Sequence, residues 1–212
     1  MKEIKVVLWD IGGVIQPDDR LPPRILGVSR QRFAKAVERR EYQDYFRGRV
    51  RISKAASFLL KSLGKDVDTE NIRLAKKAIL SAWEPPRPDV VALVKRIRPN
   101  FRKMILSTVP RELELLARKA HAMGVYKPEQ QYLQLFRLED VLFSNRIHAT
   151  KRERAAFAAV RKACGISPEH WLFIDDRQPN LKVAKEFGVG STVLYTTTDS
   201  LEKELARLGV LA

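Results

Sequence analysis

The sequence of 212 residues predicts an α/β fold, a doubly wound parallel sheet with a helical subdomain inserted after its first strand. Three observations carry that expectation. Short apolar runs rich in β-branched and aromatic residues recur along the chain, each reading as a strand buried on both faces. Helical patterns fill the intervals between them, and alternating strands and helices make a parallel sheet with helices on both sides. One long stretch, 16–86, holds helical patterns and no convincing strand.

The elements follow in order. IKVVLWD is the first strand and runs into two glycines. Helical patterns then appear at SRQRFAKAVERREYQDYF, SKAASFLLKSLG and TENIRLAKKAILSAW, with Ser29, Ser53 and Thr69 placed as N-caps. EPPRP at 84–88 breaks the helical run and marks the return to the core. The expected division is therefore a core of 1–15 and 87–212 with an α-helical subdomain of 16–86. Within that subdomain Trp83 and the cluster Tyr42, Tyr45 and Phe46 read as pocket lining or as core, and their helical spacing favours core. The core resumes with PDVVALVKRIR, opened by proline and an acid as helix starts often are. FRKMILS at 101–107 is the second strand, and RELELLARKAHAMG a helix closed by a glycine. DVLFS at 140–144, WLFIDD at 171–176 and STVLYT at 191–196 are the remaining strands. The helices KRERAAFAAVRKACG, LKVAKEFG and DSLEKELARLG complete the pattern. The segment 126–137, YKPEQQYLQLFR, has no role that its composition assigns.

The formal charge is +15 and the pI about 10.1. Such a balance implies affinity for anions: phosphorylated metabolites, nucleotides or nucleic acid. It equally describes a densely charged surface, and without a recognisable binding module a nucleic-acid partner is not expected on charge alone. No apolar run approaches the roughly eighteen residues of a membrane span. MKEIKVV leads directly into the first strand, which leaves no room for a signal peptide, so a soluble cytoplasmic protein is expected. The one cysteine, Cys164, supports neither an internal disulfide nor a zinc cluster. Nothing in the pattern specifies an oligomeric state.

In an open parallel sheet the carboxyl ends of the strands share one edge, and the loops there form the site. Those ends carry Asp10, Ser107 with Thr108, and Asp175 with Asp176. Taken singly, Asp10 reads as well as a turn former, and Ser107-Thr108 as a helix cap. Adjacent acids close to a third carboxylate repel unless a cation lies among them, and hard oxygen ligands suit Mg²⁺. Gly12 and Gly13 let the backbone turn sharply, bringing a carbonyl to the metal and N–H groups toward an anion.

These motifs together resemble the haloacid dehalogenase superfamily, mostly Mg²⁺-dependent phosphatases with an aspartate nucleophile. WDIGGVI is similar to its first motif, ILST to the second and FIDDRQPN to the acidic fourth. The third motif, a lysine opening a helix, resembles Lys151 in ATKRERAAF. Lys127 in YKPEQQY has the closer wording, but it precedes the DVLFS strand and so falls in the wrong order. The nearest subgroup by resemblance holds sugar-1-phosphate phosphatases and the phosphatase domain of soluble epoxide hydrolase, which implies a Rossmann-like core and a helical cap. The resemblance implies that Asp10 attacks phosphorus. Mg²⁺ would be held by Asp10, the Gly12 carbonyl and Asp176, with Asp175 direct or through water. Ser107 and Lys151 would act on the phosphoryl group, with Gly13 and Thr108 beside it, on a small phosphorylated substrate. Asn180 is a helix cap or an orienting residue.

The chain departs from the family at Gly12, where relatives usually carry a second aspartate as general acid and base. Losing such a group typically costs about 10²–10⁴ in rate. A substrate with a good leaving group, a substitute acid such as Asp18 or Asp19, or loss of useful turnover would each account for it. Thr108 and Arg152 also replace the usual Asn and Pro. The rival expectation is a weak or inactive member that binds an anion, nucleic acid or protein through its basic surface. A dehalogenase would also lack the second aspartate, but it needs no magnesium, which the Asp175-Asp176 pair argues against.

Overall fold

A computed structural model of the chain describes residues 2–17, 21–81 and 85–212. Asp18, Asp19 and Trp83, singled out above, lie outside the described residues. The five expected strands are β1 (Val6–Trp9), β2 (Arg102–Ser107), β3 (Val141–Phe143), β4 (Trp171–Asp175) and β5 (Ser191–Leu194). They form an all-parallel sheet in the order β3-β2-β1-β4-β5, each a little shorter than its apolar run.

Between β1 and β2 come α1 (Leu21–Ile25), α2 (Arg30–Val37), α3 (Arg40–Phe46), α4 (Ile52–Ser62), α5 (Thr69–Leu80) and α6 (Pro88–Arg96). Beyond β2 follow α7 (Arg111–Met123), α8 (Ser144–Ile147), α9 (Arg154–Cys164), α10 (Gln178–Phe187) and α11 (Thr198–Arg207). Alternate residues of β1 serve opposite faces of the sheet, as the pleat requires. Val7 and Trp9 join Leu93 of α6, Leu113 of α7 and Leu201 of α11, whereas Val6 and Leu8 meet Phe157 of α9 and Leu181 of α10. Each large side chain enclosed in this way contributes roughly 1.5–3 kcal/mol. The two-sided burial is what fixes the height of the strand ends, and hence of the groups that follow them.

Helices α1–α5 enclose a third apolar cluster of their own, including Phe33, Tyr42, Tyr45, Leu59, Leu60 and Ile79. The helix expected over SRQRFAKAVERREYQDYF is two helices, broken at Glu38 and the extended Arg39. The break lets α2 and α3 both turn their apolar residues into that cluster. Ser29 caps α2, accepting from Arg32 N, as expected. Two expected caps are corrected. Asp68, not Thr69, caps α5 by accepting from Asn71 N at 2.8 Å, because its side chain reaches that amide from one residue earlier. Ser53 lies inside the first turn of α4, which Arg51 precedes without a side-chain cap.

Segment 126–137 has a structural role. Pro128–Leu135 is a 3-10 helix that buries Tyr132 and Leu133 against α6 and α7. It also meets the loop after β1, where Gln16 Nε2 donates to the Glu129 carbonyl at 3.2 Å. Lys127, at its start, is exposed.

Candidate active site

The strand order puts β2 and β4 on either side of β1, so the carboxyl ends of these three strands are adjacent. Asp10 follows β1, Ser107 ends β2 and Asp175 ends β4. The sheet therefore delivers Asp10, Ser107 and Asp175 to one point, and all three side chains are buried. The Asp10 amide continues the ladder by donating to Ile174 O at 3.0 Å, which fixes the carboxylate's height against β4.

Asp10 Oδ1 accepts from Ser107 Oγ at 3.0 Å and from the Ile11 N–H at 2.7 Å. Its other oxygen, Oδ2, contacts the Lys151 ammonium, whose Nζ also lies 2.7 Å from Asp175 Oδ2. Asp175 is held further by Asn180 Nδ2, at 2.9 and 3.1 Å, and by the Arg177 N–H at 2.8 Å. Asn180 sits inside α10, where its amide orients Asp175, so the orienting role is the one found and capping is not. Lys151 comes from the turn before α9, which begins at Arg154. That corrects the expected start of the helix at Lys151. The turn is closed by Glu153, whose Oε2 accepts from Thr150 N at 2.9 Å and Thr150 Oγ1 at 3.0 Å, and this presents the lysine to the strand ends.

Asp176 is half-buried beside these groups. An oxygen from each of Asp10, Asp175 and Asp176 lies within 4.8 Å of the others. The two glycines differ in what they permit. Gly13 has φ +82, and a Cβ there would fall 2.2 Å from Asp176 Oδ2, so a larger residue would strain the backbone and push Asp176 out of place. Gly12 has no such conformation, and a Cβ there would meet nothing within 4 Å. The sharp turn expected of both glycines thus needs only Gly13.

Burial pushes the Asp10 carboxyl up to about 7; Lys151 opposes the shift, while Asp175 and Asp176 add to it. For Lys151 burial alone would lower the ammonium's pKa, but Asp10 and Asp175 outweigh it and hold it above the ordinary lysine value. Three clustered carboxylates facing one ammonium make a donor set that fits a hard divalent cation. A cation among them would offset both the burial and the carboxylate repulsion that raise the Asp10 carboxyl.

Over these groups lies a cavity of about 190 Å³, bordered below by Asp10, Ser107, Thr108 and Lys151 and above by Phe33, Val37, Tyr42, Phe46 and Ile79 of the inserted helices. Tyr42 and Phe46, for which helical spacing favoured core over pocket lining, serve as both. Tyr45 is buried in the helical cluster, and its hydroxyl donates to Glu112 Oε2 at 2.8 Å. The spacing of the sequence did not point to the groups that join the inserted helices to the lysine turn and to the start of α8. Arg47 Nε lies 2.9 Å from Glu153 Oε2, Arg152 Nη2 lies 2.9 Å from Glu38 Oε1, and Ser144 Oγ donates to Phe46 O at 2.7 Å. The unusual Arg152 was the one visible hint.

A family model described as haloacid dehalogenase-like hydrolase matches residues 4–188. No curated protein sequence matches the chain. Among solved structures, a HAD family enzyme, bt-2542 of Bacteroides thetaiotaomicron, superposes with a TM-score of 0.68 at 23% identity, over 92% of this chain and 95% of that one. That enzyme has also been crystallised as a wild-type complex with magnesium and inorganic phosphate. A predicted HAD-like family hydrolase from Porphyromonas gingivalis superposes with a TM-score of 0.72 at 20% identity, over 97% of both chains. The L-2-haloacid dehalogenase of Xanthobacter autotrophicus, with chloropropionic acid covalently bound, gives 0.66 at 18% identity, over 99% of this chain and 84% of that one.

Proposed function

The chain belongs to the haloacid dehalogenase-like hydrolase family, and from that premise we propose that it is a magnesium-dependent phosphohydrolase of small phosphorylated molecules. Residues 16–86 act as a cap over a core of 1–15 and 87–212. One observation carries the reading: a buried Asp10 is bound by Ser107 and Lys151 while Asp175 and Asp176 crowd it at metal-ligand range. A halide-releasing site has no use for that acidic pair. The magnesium complexes of bt-2542 support the same reading by analogy.

Asp10, Asp176 and the Gly12 carbonyl would hold Mg²⁺, with Asp175 direct or through water, and the ion would supply positive charge to the phosphate oxygens. Asp10 is the nucleophile, and its attack on phosphorus produces an aspartyl phosphate that water then hydrolyses. Ser107 orients the attacking carboxylate through Oδ1 and donates to a phosphate oxygen once the phosphoryl group arrives. Lys151 offsets charge on the nucleophile and the transferred group. Asn180 and the Arg177 N–H hold Asp175 in place.

The test is hydrolysis of p-nitrophenyl phosphate with and without Mg²⁺, alongside Asp10→Asn. Turnover that needs both the metal and Asp10 supports the reading. Turnover that ignores either, or binding of phosphate without turnover, favours the inactive, anion-binding alternative or a different chemistry.

A further inference from the structure

The cap face above Asp10 is unlike a sugar site. Phe33, Val37, Phe46 and Ile79 present carbon to the cavity. Of the polar cap residues that border it, Glu38 Oε1 accepts from Arg152 at 2.9 Å, and the Gln43 amide donates to the Val37 carbonyl at 2.7 Å. A polyol placed here would give up its water for a cap wall that is largely carbon, with Glu38 Oε1 and the Gln43 amide nitrogen already engaged. An aromatic ring would instead extend an existing cluster. Tyr42 and Phe46 stand edge to face, with ring centroids 5.2 Å apart and planes at 81°.

Size and chemistry point the same way. A cavity of roughly 150 Å³ holds a benzene ring. The 190 Å³ here is therefore room enough for one ring with its phosphate. At Gly12 the first motif supplies no proton donor, which penalises alkoxide leaving groups most. A phenol, with a pKa of about 10, leaves as a weakly basic aryl oxide.

Building on the phosphohydrolase reading above, we propose that the site is specific for aryl phosphates of a single ring, with Phe33 and Phe46 as the specificity-determining residues. An Asp10 carboxylate oxygen bonds to phosphorus as the P–O(aryl) bond breaks. The aryl oxide departs with that electron pair and takes a proton from solvent. Water then attacks phosphorus, the bond to Asp10 breaks to return the carboxylate, and orthophosphate leaves as the water's proton passes to solvent.

The experiment compares the full chain with Mg²⁺ on phenyl phosphate, benzyl phosphate, glucose 1-phosphate and acetyl phosphate. Phenyl phosphate is expected to exceed both benzyl phosphate and glucose 1-phosphate in kcat/KM by about a hundredfold. Benzyl phosphate keeps the ring and loses the leaving group; glucose 1-phosphate has hydroxyls where the ring should be. Phe46→Leu, which keeps apolar volume and removes the ring, should lower the phenyl-to-acetyl ratio about fivefold. Phe33→Leu should lower it in the same direction. Glucose 1-phosphate matching phenyl phosphate, or a ratio unchanged in both variants, overturns the proposal and leaves the phosphohydrolase standing. Failure of all four substrates, with no trapped phosphoenzyme, overturns the phosphohydrolase reading and the proposal with it.

Discussion

Lys151 Nζ lies 2.7 Å from Asp175 Oδ2 while it also contacts Asp10, so one buried ammonium is shared by two buried carboxylates from adjacent strands. Removing it leaves those acids uncompensated, which typically costs about 3–5 kcal/mol for a buried pair. Lys151→Ala should therefore lower the thermal midpoint as well as reduce kcat by about a hundredfold or more. Added Mg²⁺ should recover part of the stability and little of the rate. Lys127→Ala, at an exposed position, should change activity by less than about threefold. Melting curves and steady-state kinetics on the two variants check this, and the opposite ranking would show that the third motif lies elsewhere.

Asp10→Asn keeps the shape of the side chain and removes the proposed nucleophile. Activity should fall to background, and no radiolabelled phosphate should remain on acid-quenched protein. Because a neutral amide is a poorer ligand for a hard cation, Mg²⁺ affinity measured by calorimetry should fall as well.

Metal binding should depend on pH in a definite direction. Asp10, pushed up to about 7 by burial from an ordinary value of 3.8, carries a proton in the folded protein where the unfolded chain does not. Without metal, this group's contribution to stability is fully present below the unfolded value and is lost as pH rises toward 7. Mg²⁺ competes with that proton, so its apparent affinity should rise with pH and level off above about 7, with proton release on binding below that point. A flat affinity profile from pH 5 to 8 would remove Asp10 from the ligand set.

The glycines should respond in opposite ways. Gly12→Asp enters open space and restores a general acid and base, so dephosphorylation should accelerate by about tenfold or more. Wild-type protein should show a burst of phenol from phenyl phosphate followed by slow turnover, and the variant should lose the burst. Gly13→Ala meets Asp176 at 2.2 Å from a left-handed backbone, so it should lose both stability and Mg²⁺ affinity. Rapid-quench kinetics test the first substitution, and melting curves with and without Mg²⁺ the second.

The strands and the acids at their ends were legible because a parallel sheet imposes buried β-branched runs, and its C-terminal edge gathers whatever follows them. Val6 to Trp9 announces both a strand and the place where Asp10 must sit. Lys151 was legible only through its order relative to β3 and β4, since its turn is shaped by the Glu153 side chain and carries no strong local signal. Asn180 could not be distinguished from a cap because an asparagine near a helix start serves either purpose, and only the position of Asp175 decides. Phe46 and Tyr42 obey the helical period of a core, and periodicity does not register that one edge of a ring faces a cavity. The segment 126–137 was opaque because a 3-10 helix matches neither the helix nor the strand period.

A single oxygen, Glu153 Oε2, receives Arg47 from the helical insert as well as the amide and hydroxyl of Thr150, the residue before Lys151. Burial would raise the Glu153 pKa, but Thr150 and Arg47 outweigh it and hold it below the ordinary carboxylate value. The joint therefore persists at neutral pH and gives way only as acid neutralises that oxygen. The position of the insert and the turn that carries the ammonium thus depend on one shared acceptor. On the proposed mechanism, a substrate that lifts the insert, by being too large for the space beneath it, would draw the ammonium away from Asp10 in the same motion. Poor fit would then appear as slow chemistry, not merely as weak binding.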